Sequence, residues 1–393
     1  MHVAYVTPRY GRDVVGGAEL GVRMFAERLT EHFGWQVDVL TTCATDLRTW
    51  DNALPAGTTT ESGVGVQRYP TTQPRSPDFD KRSQPLLARP GRVSVEDASA
   101  WVRWQGPHSP ELLDAISASS ADLVVFYPYL YEPTVVGIEA VGDRAVMHPA
   151  AHDEAPIRLP VFRDVFHAAR ALVFQTYAEA RFVNRMFETA ATPQLVLGLG
   201  SDPQPGVPDA ARAALGLGER PFLLCVGRVD DGKGTGALAQ LFAAYKEARP
   251  GPLALVFVGP VVHPPLEHPD VIVAGVVDEA TKWGLLRAAT ALVSPSAFEA
   301  FSLVLVEAWH AARPVIVNAR CFATSEHCER SQGGLTFDDY ASFATAVDRL
   351  VTDKQLRNEL GAAGRAYVEA EFTWPAILAR YRAFLETVFA RRA

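Results

Sequence analysis

Short apolar runs alternate along the chain with longer stretches in which apolar residues recur at helical spacing. In the first half, the apolar runs that predict buried strands are Val3–Val6, Val37–Leu40, Leu123–Phe126, Ala145–Met147 and Leu172–Phe174. Nearly continuous apolar character is typical of parallel strands that are covered on both faces. Between the first two runs, the stretch Ala18–Phe33 places Leu20, Met24, Phe25 and Leu29 on one face of a helix. The alternation predicts an α/β fold.

The pattern breaks at Gly198–Pro208, where three glycines and three prolines fall within eleven residues, too many for a helix or a central strand. The alternation then resumes with the apolar runs Phe222–Val226, Leu253–Val258, Val271–Val273, Ala291–Val293 and Val315–Val317. We therefore predict two Rossmann-like domains of similar size, residues 1–198 and 199–373. The closing stretch 374–393 carries Ile377, Tyr381 and Leu385 at helical spacing and is predicted to form a helix that packs back on the first domain.

Residues 70–110 contain many Pro, Arg and Ser residues and little periodicity, which predicts an irregular surface insertion. Its basic residues would favour an anionic membrane surface, although a solvated loop is the simpler account of them: Arg75, Lys81, Arg82, Arg89 and Arg92. Two tryptophan-containing segments, Trp50–Asn52 and Trp101–Gly106, are candidates for lining an acceptor site or, equally, for packing in the core.

Composition and charge narrow the function classes. Of the 393 residues, 37 are Lys or Arg and 45 are Asp or Glu, and the resulting net charge of −8 argues against nucleic acid as a partner. Hydrophobic residues make up 48% of the chain, which excludes wholesale disorder. The four cysteines lack zinc-ligand spacing and are expected to be reduced. With no signal-peptide pattern and no apolar run of membrane-spanning length, a cytoplasmic protein is predicted.

The first candidate ligand-binding turn is Gly16-Gly17-Ala18-Glu19, which follows the first strand and precedes a helix. Glycines allow a ligand to approach the backbone closely, and a helix N-terminus offers free N–H groups to a phosphate. A Gly-Gly pair is also a common turn without any ligand, so the motif alone leaves both interpretations open.

The second turn is Gly227-Arg228-Val229-Asp230-Asp231-Gly232-Lys233-Gly234, directly after a strand. It nearly matches a P-loop, but Gly234 stands where a P-loop needs Ser or Thr to hold magnesium, so nucleoside triphosphate hydrolysis is not expected. Arg228 and Lys233 on such a turn would form a metal-free clamp for a diphosphate. The alternative is that both are ordinary solvated cations.

The third motif contains two glutamates, Glu299 and Glu307, around a predicted strand–turn–helix with Ser302 near the helix N-terminus. Glu307 lies within an apolar helix, where a carboxylate needs a partner. Carboxylates suit sugar hydroxyls because each accepts hydrogen bonds at a defined geometry. The alternative for either residue alone is a surface charge.

A histidine, His152, follows the strand that ends at Met147. An isolated histidine is more often structural than functional. However, ligands of open α/β sheets bind beyond the carboxyl ends of strands, and Gly17, Arg228 and Glu299 lie in equivalent positions. Asp78-Phe79-Asp80 has the spacing of some manganese sites, but no predicted strand precedes it, so we expect no metal there.

Together these motifs resemble family 4 glycosyltransferases, which are retaining enzymes of the GT-B fold that use nucleotide sugars. The resemblance extends over most of the chain in the same order, and its most specific element is the pair Glu299 and Glu307 separated by seven residues. It implies two Rossmann-like domains facing each other across a cleft that holds the active site. It also implies retention of anomeric configuration by same-face attack, in which the leaving phosphate assists deprotonation of the acceptor.

The resemblance implies roles for individual residues. Arg228 and Lys233, with Gly227 in the same turn, would neutralise the donor diphosphate, and Gly16 and Gly17 would approach phosphate or sugar. His152 would lie beside the transferred sugar. Further donor contacts are implied for Glu299 with the amides of Phe301, Ser302 and Leu303, for Glu307 at the ribose, and for Val277 or its neighbour at the base.

The expected donor is a UDP- or GDP-sugar, and the expected acceptor is an unidentified hydroxyl on a glycan, a lipid-linked saccharide or a small metabolite. No cofactor or metal is expected, and contact with the inner membrane face stays open. Two alternatives of the same fold also stay open. A nucleotide-sugar epimerase would convert the donor without an acceptor, and a sugar-binding protein would bind it without releasing a nucleoside diphosphate.

Overall fold

The computed structural model describes residues 1–14 and 16–391. Two compact units are present: residues 1–197 together with the chain from Leu378 onward, and residues 198–377. The unit boundary at Gly198 coincides with the start of the Gly/Pro-rich segment, which is irregular up to the helix that begins at Pro208. Within the described ranges, no helix combines the length and apolar composition that crossing a bilayer requires.

The first unit contains a central sheet and flanking helices. Its strands are β1 (His2–Val6), β2 (Gln36–Thr42), β3 (Gly57–Glu61), β4 (Val64–Tyr69), β5 (Leu123–Phe126), β6 (Ala145–Met147), β7 (Ala171–Phe174) and β8 (Gln194–Val196). Its helices are α1 (Gly17–Phe33), α2 (Phe79–Leu87), α3 (Val95–Gln105), α4 (Pro110–Ala118), α5 (Glu132–Ala140), α6 (Val161–Ala168) and α7 (Tyr177–Phe187). Single 3₁₀ turns occupy Pro90–Arg92, Gly142–Arg144 and Pro156–Arg158.

The second unit repeats the alternation of strand and helix. Its strands are β9 (Phe222–Val226), β10 (Ala254–Val258), β11 (Val271–Gly275), β12 (Ala291–Ser294), β13 (Val315–Asn318) and β14 (Gly334–Phe337). Its helices are α8 (Pro208–Ala214), α9 (Thr235–Ala248), α10 (Glu279–Ala288), α11 (Leu303–His310), α12 (Phe322–Ser331), α13 (Tyr340–Thr352) and α14 (Lys354–Glu371). The closing helix is α15 (Trp374–Ala390), and most of its length belongs to the first unit.

Each sheet is doubly wound. The first has the strand order β3-β4-β2-β1-β5-β6-β7-β8, and all its pairings are parallel except β3 with β4. The second has the order β11-β10-β9-β12-β13-β14 and is parallel throughout. The α/β class predicted from the apolar runs is therefore confirmed, because fully buried parallel strands such as β5 and β10 carry apolar residues on both faces.

The closing helix α15 packs on the first sheet through one tyrosine. Tyr381 Oη lies 3.0 Å from Tyr5 Oη and 2.8 Å from His148 Nε2, and all three side chains are buried. His148 also stacks on Tyr127, with ring centroids 5.1 Å apart. These contacts join α15 to the centre of the first unit.

The prediction that residues 70–110 form an irregular insertion is wrong. The segment contains α2 and α3, and its side chains Phe79, Ala98 and Trp101 belong to a hydrophobic core cluster of the first unit. Trp50 is buried as well, and its Nε1 donates to the carbonyl oxygen of Gln105 at 2.6 Å. Trp50 and Trp101 are therefore buried packing residues, and the ring N–H of each finds an acceptor inside the protein.

Candidate active site

The strand order of the second sheet reverses between β9 and β12, which lie side by side with Leu223 opposite Ala291. The loops after these two strands begin at Gly227 and Pro295, so both sequence motifs of this unit emerge from one edge of the sheet at the reversal. In open α/β sheets this position forms a crevice where ligands bind. The topology therefore brings the Gly227–Gly234 turn and the Glu299 loop together.

Asp230 shapes the turn after β9. Its Oδ1 accepts the backbone N–H of Lys233 at 2.8 Å, and its backbone oxygen accepts the hydroxyl of Thr235 at 3.0 Å. Gly234 then takes a left-handed conformation with φ of 72°, and a Cβ there would lie 3.1 Å from the Pro295 carbonyl oxygen. A glycine at this position avoids both the strain and the crowding.

The two cations of this turn each face a carboxylate. Lys233 Nζ lies 2.6 Å from Glu299 Oε1, with side chains 36% and 16% exposed, so this ion pair connects the two loops. Arg228 pairs with Asp230, whose side chain is buried. Burial opposes ionisation of Asp230, but the Arg228 guanidinium and the Lys233 N–H outweigh it and lower the pKa of that carboxyl. Arg228 and Lys233 thus each form an ion pair at this edge of the sheet.

Close backbone contact stabilises the same edge. Gly259 follows β10 and has a φ of 139°, and a Cβ at this position would overlap the carbonyl oxygen of Gly227. The Gly259 N–H donates to the Gly275 oxygen at 2.8 Å, and the Gly227 N–H donates to the Val258 oxygen at 2.8 Å. Residues after β9, β10 and β11 are thereby held at fixed spacing.

The Glu299 loop leads into α11 through an unusual residue conformation. Ser302, the N-cap residue, has a φ of 70°, which is left-handed and costly for a residue other than glycine. The neighbouring Phe301 ring is buried against His327 and Phe372, at centroid distances of 5.0 and 5.2 Å. These contacts fix the N-terminus of α11, including Leu303, where the first N–H groups have no intrahelical acceptor.

Glu307 lies on the buried side of α11. Lys282 of α10 places its Nζ 2.9 Å from Glu307 Oε1, which provides the partner that a buried carboxylate requires. Burial raises the pKa of Glu307, and Lys282 limits that rise. The half-buried Val277 lies just before α10, whose N-cap Asp278 accepts the Thr281 N–H at 2.7 Å.

In the first unit, the Gly16-Gly17 turn forms the N-terminus of α1, with Gly17 exposed as its first residue. Glu19 in the first turn is buried and pairs with Arg9 from the loop after β1. Arg9 also donates to the Thr45 carbonyl oxygen at 2.8 Å. The position of this helix end beyond β1 agrees with the predicted phosphate or sugar contact, which stays a prediction.

His152 lies beyond the carboxyl end of β6 with a side chain 24% exposed, and its Nδ1 lies 3.7 Å from Glu154 Oε1. The preceding residue, Ala151, donates its N–H at 2.7 Å to Glu179 Oε1, and the Gln175 N–H donates at 2.6 Å to the other oxygen of that carboxyl. Burial raises the pKa of Glu179 to about 8. Glu179 therefore ties the loop that carries His152 to the end of β7.

Sequence reasoning missed Asp230, Lys282 and Glu179. Asp230 stands within the glycine-rich turn, and an Asp three residues before a turn N–H is a recognisable backbone acceptor. Glu179 follows Thr176 by three residues, which is the spacing of a helix N-cap, but its contact with Ala151 depends on the sheet. Lys282 gives no comparable sequence signal, because its partner lies 25 residues away.

The segment Asp78-Phe79-Asp80, at which no metal was expected, lies at the start of α2, with Asp78 as N-cap and Asp80 in the first turn. Over residues 1–14 and 16–391, no group of three or more His, Cys, Asp or Glu side chains is placed to hold a metal ion. All four cysteines are buried free thiols, as expected.

Comparison with known proteins agrees with this arrangement. Residues 220–353 match the family described as glycosyl transferases group 1. A D-inositol 3-phosphate glycosyltransferase of Frankia alni is 32% identical over 278 residues, which cover 63% of this chain and 65% of that relative. A GDP-mannose-dependent alpha-(1-6)-phosphatidylinositol monomannoside mannosyltransferase of Mycobacterium tuberculosis is 28% identical over 82% of this chain and 84% of its own.

Among solved structures, the sucrose-phosphate synthase of Thermosynechococcus elongatus superposes with a TM-score of 0.71 at 20% identity, covering 99% of both chains. Two doubly wound sheets, each with glycine-rich turns at its carboxyl edge, and this superposition give the chain the GT-B fold. Within that fold, residues 220–353 match the group 1 glycosyltransferases, and the relatives named as an inositol phosphate glycosyltransferase and a mannosyltransferase agree with the family 4 type. The resemblance of its motifs to that family is confirmed.

Proposed function

We propose that the chain transfers a sugar from a nucleoside-diphosphate sugar to an acceptor hydroxyl, with retention of configuration and without a metal ion. The observation that carries the proposal is the Lys233–Glu299 ion pair, which joins the loops after β9 and β12 where the strand order reverses. The mycobacterial relative is named as GDP-mannose-dependent, which supports a nucleotide-sugar donor of the UDP or GDP type.

The cations of the site supply what a leaving diphosphate needs. As the bond between the sugar anomeric carbon and the phosphate oxygen breaks, negative charge grows on that oxygen. Arg228, Lys233 and the N-terminus of α11 would stabilise this charge, and Glu299 would bind sugar hydroxyls while holding Lys233 in place. Since fixed cations provide this charge, the reaction does not depend on a divalent metal.

Retention follows if acceptor and leaving group share one face of the sugar. The acceptor oxygen then bonds to the anomeric carbon, and its proton passes to the departing phosphate oxygen. A double-displacement route would instead need a carboxylate nucleophile. In the second unit, the two motif glutamates are each engaged by a lysine, Glu299 by Lys233 and Glu307 by Lys282, which favours ligand binding over nucleophilic attack.

A donor screen tests the proposal first. Thermal unfolding of the purified chain is followed with UDP-, GDP-, dTDP- and ADP-sugars, and we expect one nucleotide class to raise the midpoint. That donor is then incubated with a panel of hydroxyl acceptors in excess chelator, and release of nucleoside diphosphate and the anomeric proton signals of the product are recorded. We expect release to persist in chelator and the product to keep the donor configuration.

Single substitutions test which residues of the candidate site support transfer. Lys233→Ala and Glu299→Ala should each lower release at least tenfold, because each removes a charge-assisted contact worth about 1.5 to 3 kcal/mol. Lys354→Ala, which changes an exposed lysine at the start of α14, is the matched control and should keep wild-type activity. Full activity in folded Lys233→Ala, inversion of configuration, or loss of activity in chelator would each contradict the corresponding part of the proposal.

The acceptor-side proposal is broader. We infer that the acceptor is a hydroxyl group. We also infer that the basic residues between Arg75 and Arg92 contact anionic lipid, and co-sedimentation with phosphatidylglycerol vesicles, compared with phosphatidylcholine vesicles, tests this contact. Part of this charge is engaged locally, since the Arg75 guanidinium lies 3.9 Å from the Phe79 ring centroid and that of Arg82 5.1 Å from the Trp104 ring centroid. Equal sedimentation with both vesicles would contradict the membrane contact.

A further inference from the structure

The carboxylate of Glu307 has a charged neighbour on the preceding helix, α10. Lys282 Nζ lies 2.9 Å from Glu307 Oε1, and the two side chains are only 15% and 11% exposed. Lys282 also lies 3.0 Å from Glu279 Oε2, a carboxylate that is 69% exposed. A single lysine therefore connects a nearly buried glutamate with one at the surface.

Only one oxygen of Glu307 is used by the protein. Within the part of the chain that the structure describes, Oε1 accepts from Lys282 and Oε2 has no hydrogen-bond partner. Oε2 reaches solvent, since the buried side-chain atoms without a partner do not include it. The unmatched Oε2 is therefore an acceptor available to a ligand.

Lys282 also keeps Glu307 a good acceptor. Burial raises the pKa of Glu307, and the Lys282 ammonium counteracts that rise. Burial would lower the pKa of Lys282, but Glu307 and Glu279 outweigh it, so the pKa of Lys282 is raised and the lysine stays charged. An ionised carboxylate accepts hydrogen bonds from hydroxyls about twice as strongly as a neutral group does.

The position of Lys282 agrees with a role at the nucleoside. α10 begins at Glu279, two residues after Val277, which the family resemblance places beside the base. Lys282 is on the first turn of this helix, and its side chain spans to α11 where Glu307 lies. The lysine therefore connects α10, the helix expected beside the base, with Glu307, the carboxylate expected at the ribose.

We propose that Lys282 is a positioning residue for the donor ribose, which holds Glu307 ionised and oriented so that its Oε2 accepts from the ribose hydroxyls. This inference rests on the proposed function and on the ribose contact that the family resemblance implies for Glu307. Lys282 itself need not touch the donor. Its effect should therefore be confined to ligands that carry ribose hydroxyls.

The test compares two probes by isothermal titration calorimetry: the nucleoside diphosphate selected by the donor screen and its 2′,3′-dideoxy counterpart. Lys282→Met keeps the length of the side chain and removes its charge. We expect it to weaken binding of the ribose form roughly tenfold and leave the dideoxy form unchanged. Lys282→Arg should restore most of the preference for the ribose form.

Glu279→Gln is the matched control, because it breaks only the exposed ion pair and should change either dissociation constant by less than about twofold. Equal weakening of both probes in Lys282→Met, or no weakening, overturns the role of Lys282. If Lys282→Met does not fold, Lys282→Gln is measured in its place and judged by the same result.

The Glu307→Gln variant separates the two levels of the argument. If it loses the preference for the ribose form while Lys282→Met keeps it, only the role of Lys282 is overturned. If it keeps the preference, Glu307 is not the ribose ligand, and this inference fails while the proposed transfer reaction stands. If neither nucleoside diphosphate binds the wild-type chain, the proposed donor class itself is wrong.

Discussion

Acidification should destabilise the first unit through His148. This side chain is 2% exposed, it contacts Tyr381 and Tyr127, and burial lowers its pKa from 6.5 to about 3. The folded chain therefore keeps His148 neutral at a pH where the unfolded chain binds a proton. The resulting stability is complete above pH 6.5 and is lost as the pH falls from 6.5 towards 3.

The magnitude follows from the two pKa values. Each pH unit between them costs about 1.4 kcal/mol for one histidine, so acidification from pH 7 to pH 5 should remove about 2 kcal/mol of unfolding free energy. Glu179, whose pKa is raised to about 8, has the opposite sign, because the folded state binds its proton more tightly. The total slope of the wild type therefore mixes both effects, and a difference between variants is needed.

Urea unfolding of the wild type and of His148→Gln at several pH values between 5 and 7 isolates the histidine, since the variant cannot titrate at this position. The stability difference between the two proteins should shrink by about 2 kcal/mol as the pH falls from 7 to 5. His327→Gln is the counterpart in the second unit, where burial likewise lowers the pKa of a buried histidine to about 3. A difference that does not change with pH would show that folded His148 takes up a proton freely, and would refute the reasoning.

Two further predictions concern the backbone of the candidate site. Gly259→Ala should lower the unfolding free energy of the second unit by roughly 2 kcal/mol or more, because the added Cβ would overlap the Gly227 oxygen at a φ that disfavours side chains. The control is Gly251→Ala, which adds a methyl group in open space and should be nearly neutral in the same urea titration. Ser302→Gly should raise that free energy by up to about 1 kcal/mol by relieving the left-handed conformation, and Ser302→Val should lower it; a stabilising valine would contradict the backbone geometry at α11.

Much of the fold could be predicted because parallel strands carry their own signal. The runs at β5, β6 and β9 were predicted with the bounds that the structure has, since strands buried on both faces must be apolar throughout. Most of the strands that the pattern missed lie at a sheet edge, whereas β4 (Val64–Tyr69) lies inside the sheet but alternates buried and half-buried residues instead of forming an apolar run. β3 (Gly57–Glu61) is almost entirely polar, and β8 and β14 have only three and four residues. Sheet edges need less apolar surface, so the sequence pattern there is weak.

In residues 70–110 the sequence pattern failed to predict helices that the structure contains. Local periodicity predicts little there, because α2 contains Pro85 and α3 buries only one face. These helices form because Trp101 and Phe79 pack against the core of the first unit, with ring centroids 5.6 Å apart. Tertiary burial, which a local pattern does not contain, stabilises them.

The sequence by itself determined the chemical types at the candidate site. Glycine-rich turns after strands, cations within one turn and two glutamates separated by seven residues are local features, and the local sequence is enough to find them. Tertiary structure decided which charges meet. Lys233 faces Glu299 and Lys282 faces Glu307 because parallel β9 and β12 place their following loops at one edge, and α10 packs beside α11. The partners of these two ion pairs are 66 and 25 positions apart in the sequence. Whether they meet depends on the order of the strands in the sheet, which the local sequence around each residue does not determine.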